Sequence, residues 1–220
     1  MTITYLGHSA FLVKTERRYL LFDPIAPLDF AQFGDLPVTC FASHAHHDHY
    51  SQALHEASQS FANVSWILGD IKSRLPRATV MKGRESRRLE GLAIHSAGST
   101  DAGVCFLVEA DGHCLFHAGD NADWGDPGDE KTYHREIDYL AKLGKAVDAA
   151  FLPVCTFSGQ RPVRMTAGIF YAMDALRPRL TIPMHGNGRE YLYREFAREA
   201  EEKGYHNIHC FQQEGERMEV

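Results

Sequence analysis

One run constrains this chain more than any other: His44-Ala45-His46-His47-Asp48-His49. It follows the β-like segment Val38-Thr39-Cys40-Phe41-Ala42. Residues two apart in an extended segment share a side, so His44 and His46 face one way. Asp48 and His49 come after a turn and can address a neighbouring point. Imidazole and carboxylate donors suit Zn²⁺, and also Mn²⁺ or Fe²⁺. Four such donors crowd a single tetrahedral ion, so two adjacent ions sharing a water is the better arrangement. Histidine is abundant, 13 of 220 residues. Even so, H-x-H-x-D-H would arise in roughly a few of every thousand shuffled chains of this composition, and coincidence is a poor account of it.

Composition narrows the class. A length of 220 residues suits one domain, 1–220, and 44% hydrophobic content suits a buried core. No stretch reaches the roughly 18 consecutive apolar residues of a membrane span. The start, Met1-Thr2-Ile3-Thr4-Tyr5-Leu6-Gly7-His8, lacks a basic segment followed by an apolar one and reads as a first strand rather than a signal peptide. The net charge is -6 without a Lys/Arg run, so the electrostatic footprint of a nucleic-acid surface is missing. The five cysteines form no C-x-x-C pair and are odd in number, which fits reduced thiols in a cytoplasmic protein.

Along the chain, Ile3-Thr4-Tyr5-Leu6, Ala10-Phe11-Leu12-Val13 and Tyr19-Leu20-Leu21-Phe22 read as strands, the last stopping at Asp23-Pro24. Ser51 is a candidate N-cap for a short helix. Val64-Ser65-Trp66-Ile67-Leu68 and Ala78-Thr79-Val80-Met81 are further strands, and Asp111-Gly112 marks a tight hairpin. The segment 121–129 reads as a long exposed loop. Helices are expected over 136–143, through Ile169, Met173 and Leu176, and over 190–203. Strands are expected at Ala149-Ala150-Phe151-Leu152-Pro153-Val154, at Leu180-Thr181-Ile182-Pro183-Met184 and at Ile208-His209-Cys210-Phe211. Strands first, then helix–strand alternation, predict an α/β layered fold with helices outside sheets.

The histidine run resembles the metal signature of the metallo-β-lactamase superfamily, and other segments agree in order. Leu21-Phe22-Asp23-Pro24 resembles the early strand and Asp turn. His117-Ala118-Gly119-Asp120-Asn121 resembles the segment whose aspartate bridges two metals, and Ile182-Pro183-Met184-His185 the strand whose terminal histidine completes the second site. Gly7-His8-Ser9 is similar to small cytosolic members, the group that includes ascorbate-6-phosphate lactonase-like hydrolases. The resemblance implies a four-layer αββα sandwich with metals at the sheet edge. By the same mapping His44 and His46 hold the first metal, Asp48, His49 and His185 hold the second, and Asp120 bridges them. The third ligand of the first metal is His95, because His95-Ser96-Ala97-Gly98 resembles the family's H-x-x-G segment. The run Gly98-Ser99-Thr100-Asp101-Ala102-Gly103 also resembles a variant without that histidine, with Asp101 as ligand or as an acceptor behind it. His95 is preferred.

Several residues have plainer roles. His117 is expected to pack, His47 to point away from the metals, and His8 either to line the pocket or to cap a turn. His55, His113, His134, His206 and His209 read as surface or structural. Trp124 is a lid residue or an edge packer. Arg161 and Arg164 are solvated arginines or contacts for an anionic substrate, and Asn187 and Arg189 follow His185 closely enough to meet one.

These expectations describe a hydrolase acting on a small ester, lactone or phosphoester. Two metals lower the pKa of a shared water toward neutrality, and Asp48 or Asp120 orients it and accepts a proton. Two other classes fit the same residues: an iron-dependent redox enzyme, and a catalytically degenerate metal-binding protein.

Overall fold

The computed structural model describes the backbone of residues 1–158 and 161–220, and side chains outside 155–164. Among the described residues seven strands form one sheet and six form a second. The first sheet holds β1 (Thr2–Tyr5), β2 (Phe11–Lys14), β3 (Tyr19–Phe22), β4 (Val38–Ala42), β5 (Val64–Gly69) and β6 (Ala78–Met81) in sequence order, with β15 (Arg217–Glu219) beyond β1. The second runs β14-β11-β10-β9-β8-β7, built from β7 (Ser86–Leu89), β8 (Leu92–Gly98), β9 (Val104–Ala110), β10 (His113–His117), β11 (Ala149–Pro153) and β14 (Leu180–Met184). A small hairpin, β12 (Cys155–Ser158) with β13 (Arg161–Arg164), stands apart. The helices are α1 (Gln52–Ser58), α2 (Pro127–Ala141), α3 (Thr166–Leu176) and α4 (Tyr191–Glu202).

Period-two patterning explains the layering. In β4 and β5, Val38, Cys40, Ala42, Val64, Trp66 and Leu68 join Leu54 of α1 in one apolar cluster. Phe41 and Ile67, pointing oppositely, join the cluster between the sheets. Both faces of these strands are covered, which is why they read as unbroken apolar runs. On the far side, Tyr133, Ile137 and Leu140 of α2 and Ile169, Met173 and Leu176 of α3 pack on the second sheet. The result is the expected four-layer αββα arrangement.

Three elements depart from the sequence expectation. Helix α2 begins at Pro127, not near residue 136, because Asp126 caps Gly128 N and Pro127 occupies the first turn. Only 121–126 remains loop. The segment around Ile208 makes a single bridge to Thr181. It then turns inward to bury Phe211 against Tyr5 and Phe11, and the final strand is β15 instead. Strand β7, Ser-Arg-Arg-Leu, is an exposed edge strand with no apolar alternation to announce it.

Strand direction positions the site. Strands β3, β4 and β5 are mutually parallel, and β1 shares their direction through antiparallel β2. In the other sheet β10, β11 and β14 are parallel, and β8 matches them through antiparallel β9. Chain leaving the C-terminal ends of β1, β3, β4, β8, β10 and β14 therefore collects at one edge of the sandwich.

Candidate metal centre

Each chemistry-bearing side chain lies just past one of those strand ends. After β4 the chain turns sharply, with His49 N and Tyr50 N both donating to the His46 carbonyl. This turn sends His44 and His46 to one position and Asp48 and His49 to another. His185 follows β14, Asp120 follows β10, Asp101 lies in the loop after β8, Asp23 follows β3, and His8 lies past β1.

Two groups of ligand-type side chains result: His44, His46, Asp101 and Asp120; and His8, Asp48, His49 and His185. Within each, the donor atoms lie within 4.8 Å of one another. Asp120 touches both. Its Oδ2 is 3.6 Å from His44 Nε2, while its Oδ1 is 3.0 Å from His49 Nε2 and 3.2 Å from His185 Nε2. In the first group His46 Nδ1 is 2.9 Å from His44 Nε2 and 3.4 Å from Asp101 Oδ2. In the second, Asp48 Oδ2 is 3.4 Å from His8 Nε2.

The donor set fits cations. His49 Nε2 and Asp120 Oδ1 are buried, close together, and without a hydrogen-bond partner. Native interiors rarely leave such atoms unsatisfied, and donor atoms converging on one point without aligning with one another are what an ion's ligands do.

A buried relay orients the imidazoles. Asp23, 1% exposed, accepts hydrogen bonds from Ser43 N (2.7 Å), Ser43 Oγ (2.8 Å) and His49 Nδ1 (2.7 Å). With its proton given to Asp23, Ser43 Oγ accepts from His44 Nδ1 at 3.0 Å. Both rings thus have Nδ1 engaged and Nε2 turned to the centre, the tautomer a ligating histidine needs. His117 packs beneath: Nε2 donates to the Ser9 carbonyl, Nδ1 accepts from Gly119 N, and the ring stacks on Phe22 at 5.1 Å. Gly119 (φ +55) lets the Asp120 turn approach this relay, since a Cβ there would stand 2.6 Å from the Ser43 Cβ. His8, Asp23 and His185 all have positive φ. Such backbone costs roughly 1–2 kcal/mol per residue.

Electrostatics follow the same geometry. Burial alone would lower the His49 pKa, but the Asp23 and Asp120 carboxylates raise it to about 10. Burial would raise Asp120, yet His185 and His49 hold it well below the usual carboxylate range. His8 beside Asp48 holds that carboxyl far down as well. Burial lowers His44, keeping it neutral.

Of the sequence-derived candidates, His44, His46, Asp48, His49, Asp120 and His185 come together. His95, preferred on the sequence, is in neither group, and the alternative Asp101 is in the first. His95 lies within β8 opposite Ser86 and Leu107, with Nδ1 2.7 Å from Ser86 Oγ and Nε2 3.5 Å from Glu109 Oε1. Asp101 stands with His44 and His46 instead. His47 points to solvent. His55 is buried against Trp66 with Nδ1 on the Tyr50 hydroxyl. Trp124 is an anchor: its Nε1 donates to Thr100 Oγ1 at 3.0 Å, beside Asp101. Asn187 is exposed and Arg189 half-buried. The Arg161 and Arg164 side chains lie outside those described. Ser43 and Asp23 are not among the sequence-derived candidates, although Asp23-Pro24 marks the end of a strand in the sequence.

The family described as the β-lactamase superfamily domain matches residues 2–185. The chain belongs to the metallo-β-lactamase superfamily. Within it, a UPF0173 metal-dependent hydrolase of Opitutus terrae is 31% identical, over 93% of this chain and 94% of its own length. Igni18, a metallo hydrolase from the hyperthermophilic archaeon Ignicoccus hospitalis, superposes with a TM-score of 0.72 at 21% identity, covering 100% of this chain and 98% of its own. CmlA, a diiron β-hydroxylase from Streptomyces venezuelae, gives a TM-score of 0.74 at 12% identity, over 100% of this chain and 54% of its own. At those identities the two structures speak to the fold alone. This superfamily member is therefore of the metal-dependent hydrolase family, and it carries two clusters of potential metal ligands. No helix among the described residues is long and apolar enough to cross a membrane.

Proposed function

We propose that the chain, acting as one domain over residues 1–220, is a dinuclear metal-dependent hydrolase of a small ester, lactone or phosphoester in the cytoplasm. The observation that carries this reading is Asp120, whose two oxygens face two separate groups of ligand-type side chains. His44, His46 and Asp101 would hold one cation, Asp48, His49 and His185 the other, and Asp120 would bridge. Zn²⁺, or alternatively Mn²⁺ or Fe²⁺, held by these residues would supply a water acidified toward neutrality and a Lewis acid for a carbonyl or phosphoryl oxygen.

The chain's own residues do the rest. Asp23 and Ser43 fix the rings, so His44 and His49 present Nε2 without reorganising. His49, His185 and Asp120 form a buried floor. His46 is 54% exposed, Asp101 38% and Asp48 35%, so substrate approaches across these three. Asp48, the partly exposed carboxylate of the second group, or Asp120 would orient a water by accepting its hydrogen bond. Beside this rim, Ala45, His47, Tyr50, Lys72, Ser73 and Arg74 border an open cleft of about 770 Å³, room for a small molecule.

Elemental analysis of protein purified without added metal, alongside a panel of lactones, carboxylic esters and phosphoesters, tests this. Two equivalents of metal with turnover of one class support it. Full occupancy with a flat panel would leave a degenerate metal-binding protein. A second reading has one observation behind it. The first group offers two imidazoles and two carboxylates, a harder donor set that suits Fe²⁺ or Mn²⁺ better than a thiolate-rich or all-imidazole one. Iron in the purified protein with a visible charge-transfer band would favour redox chemistry.

A further inference from the structure

We infer that Tyr193 is a positioning residue for His185, acting through a chain of hydroxyls that ties the loop after β14 to the end of β1. This rests on the two-cation reading above, in which His185 is a ligand of the buried group. His185 sits at φ +69, and Asn187 and Gly188 beyond it also have positive φ. Left-handed backbone at a residue other than glycine persists only where its surroundings over-determine it. Two anchors do so here. His185 N donates to the His8 carbonyl at 3.1 Å. The next amide, Gly186 N, is buried and donates to Tyr193 Oη at 2.8 Å.

The second anchor continues across the sandwich. Tyr193, in the first turn of α4, is fully buried. Its Oη is 3.3 Å from the Oη of Tyr5, the last residue of β1, and Tyr5 Oη donates to Glu190 Oε1 at 3.0 Å. An amide can only donate and a carboxylate only accept. The single Tyr5 proton therefore goes to Glu190, and Tyr193 donates to Tyr5. Burial, with Tyr193 and Glu190 adding to it, raises the Tyr5 pKa, which keeps that proton in place. The same Glu190 oxygen accepts from Gly188 N at 3.3 Å, so the loop is held at Gly186 and again at Gly188. Strand β1 belongs to the first sheet and β14 to the second, and the hydroxyl chain links the two beside His185. Packing does not require these hydroxyls. The Tyr5 ring stacks on Phe211 with centroids 5.8 Å apart, a contact that phenylalanine would make as well. The approach at Gly186 is tight, since a Cβ there would stand 2.7 Å from Tyr193 Oη.

Cobalt(II) binding to the metal-free Asp101→Ala chain tests this, because on the two-cation reading that variant keeps only the cation held by His185. Adding Tyr193→Phe keeps the ring and removes the hydroxyl. Chelator competition should then show cobalt held about 10-fold less tightly, the lower end of the loss for removing an outer partner of a ligand. The visible d–d bands of the bound ion should shift with it. Tyr5→Phe should act in the same direction by less. The two substitutions together should lose no more than Tyr193→Phe alone, because both interrupt one chain. A role in packing only would lower the urea midpoint of the metal-free protein and leave affinity and spectrum unchanged, and that result overturns the assignment. Should Tyr193→Phe fail to fold, Tyr5→Phe decides on the same readouts. Failure of the two-cation reading shows separately, as saturation of wild-type protein at one cobalt by elemental analysis. If Tyr193→Phe in the wild-type chain still loosened that one ion, the positioning role would stand without a second cation; if it did not, both would fall.

Discussion

The group around His44 and the group around His49 lie side by side and share Asp120, yet they meet solvent differently. His46 and Asp101 form an exposed rim, while His8, His49 and His185 are buried. The buried group is assembled from three strand ends, those of β1, β4 and β14, and is braced by Asp23 and Ser43. The rim depends on a loop, 99–103, held by Thr100 to Asn121, Ala122 and Trp124. Rigid strand ends supply position, and loops supply access and variation. The histidines of one group are enclosed, and His46 of the other stands open to solvent.

The largest test of this contrast is the residue that joins the halves. Asp120→Ala should abolish turnover on any identified substrate and weaken both cations by more than the roughly 10–100-fold that loss of an outer hydrogen-bond partner costs. Far-UV circular dichroism should report an intact fold. Near-wild-type activity would break the bridge.

Next comes the rim. Asp101→Ala should lose about one equivalent of metal, with affinity at the remaining step unchanged, whereas His95→Ala should lose none. Metal counting after dialysis separates the two, and the opposite pattern would restore His95.

Asp23→Asn tests the bracing. It keeps the side chain's size but removes the charge facing His49, so metal affinity and activity should fall by about 10–100-fold. The fall should be larger at the buried step than at the rim, and equal losses at both would show that the relay serves the halves alike.

The smallest effect is on pH dependence. His49 in the metal-free protein has its pKa raised from 6.5 to about 10, so a cation entering below that pH displaces its proton. Affinity at the buried step should fall about tenfold for each pH unit lowered. His44, already neutral through burial, releases none near pH 7. Calorimetry in buffers of different ionisation enthalpy counts the proton. The metal-free fold has the linked behaviour: because the folded pKa is raised, stabilisation by protonated His49 is full below pH 6.5 and lost as pH rises through about 10.

Much of this architecture could be read in advance. The alternating and unbroken apolar runs located β3, β4, β5, β11 and β14 closely, and the Asp111-Gly112 turn placed the β9–β10 hairpin. Helix α2 was misplaced because Gly125 and Gly128 read as loop, although Asp126-Pro127 was a start signal. At the site, His44, His46, Asp48 and His49 were legible because they are neighbours in sequence. His95 fits the local pattern, but its place within β8 keeps it out of both groups. It sits three residues before the end of β8 at Gly98, roughly 10 Å of extended chain short of the rim. Asp101, past that end, is the residue that arrives.

The sequence by itself determined which donor types this protein carries and where its strands stop, because hydrophobic period and a contiguous ligand run are local properties. Beyond Asp120 and His185, which the family resemblance implied, tertiary structure decided which distant donors meet. Asp101, His8 and the Asp23–Ser43 relay come from separate strand ends, and only strand order and direction in two packed sheets bring them to one edge. A side chain's partners at such an edge depend on register across the fold, which no local stretch of sequence encodes.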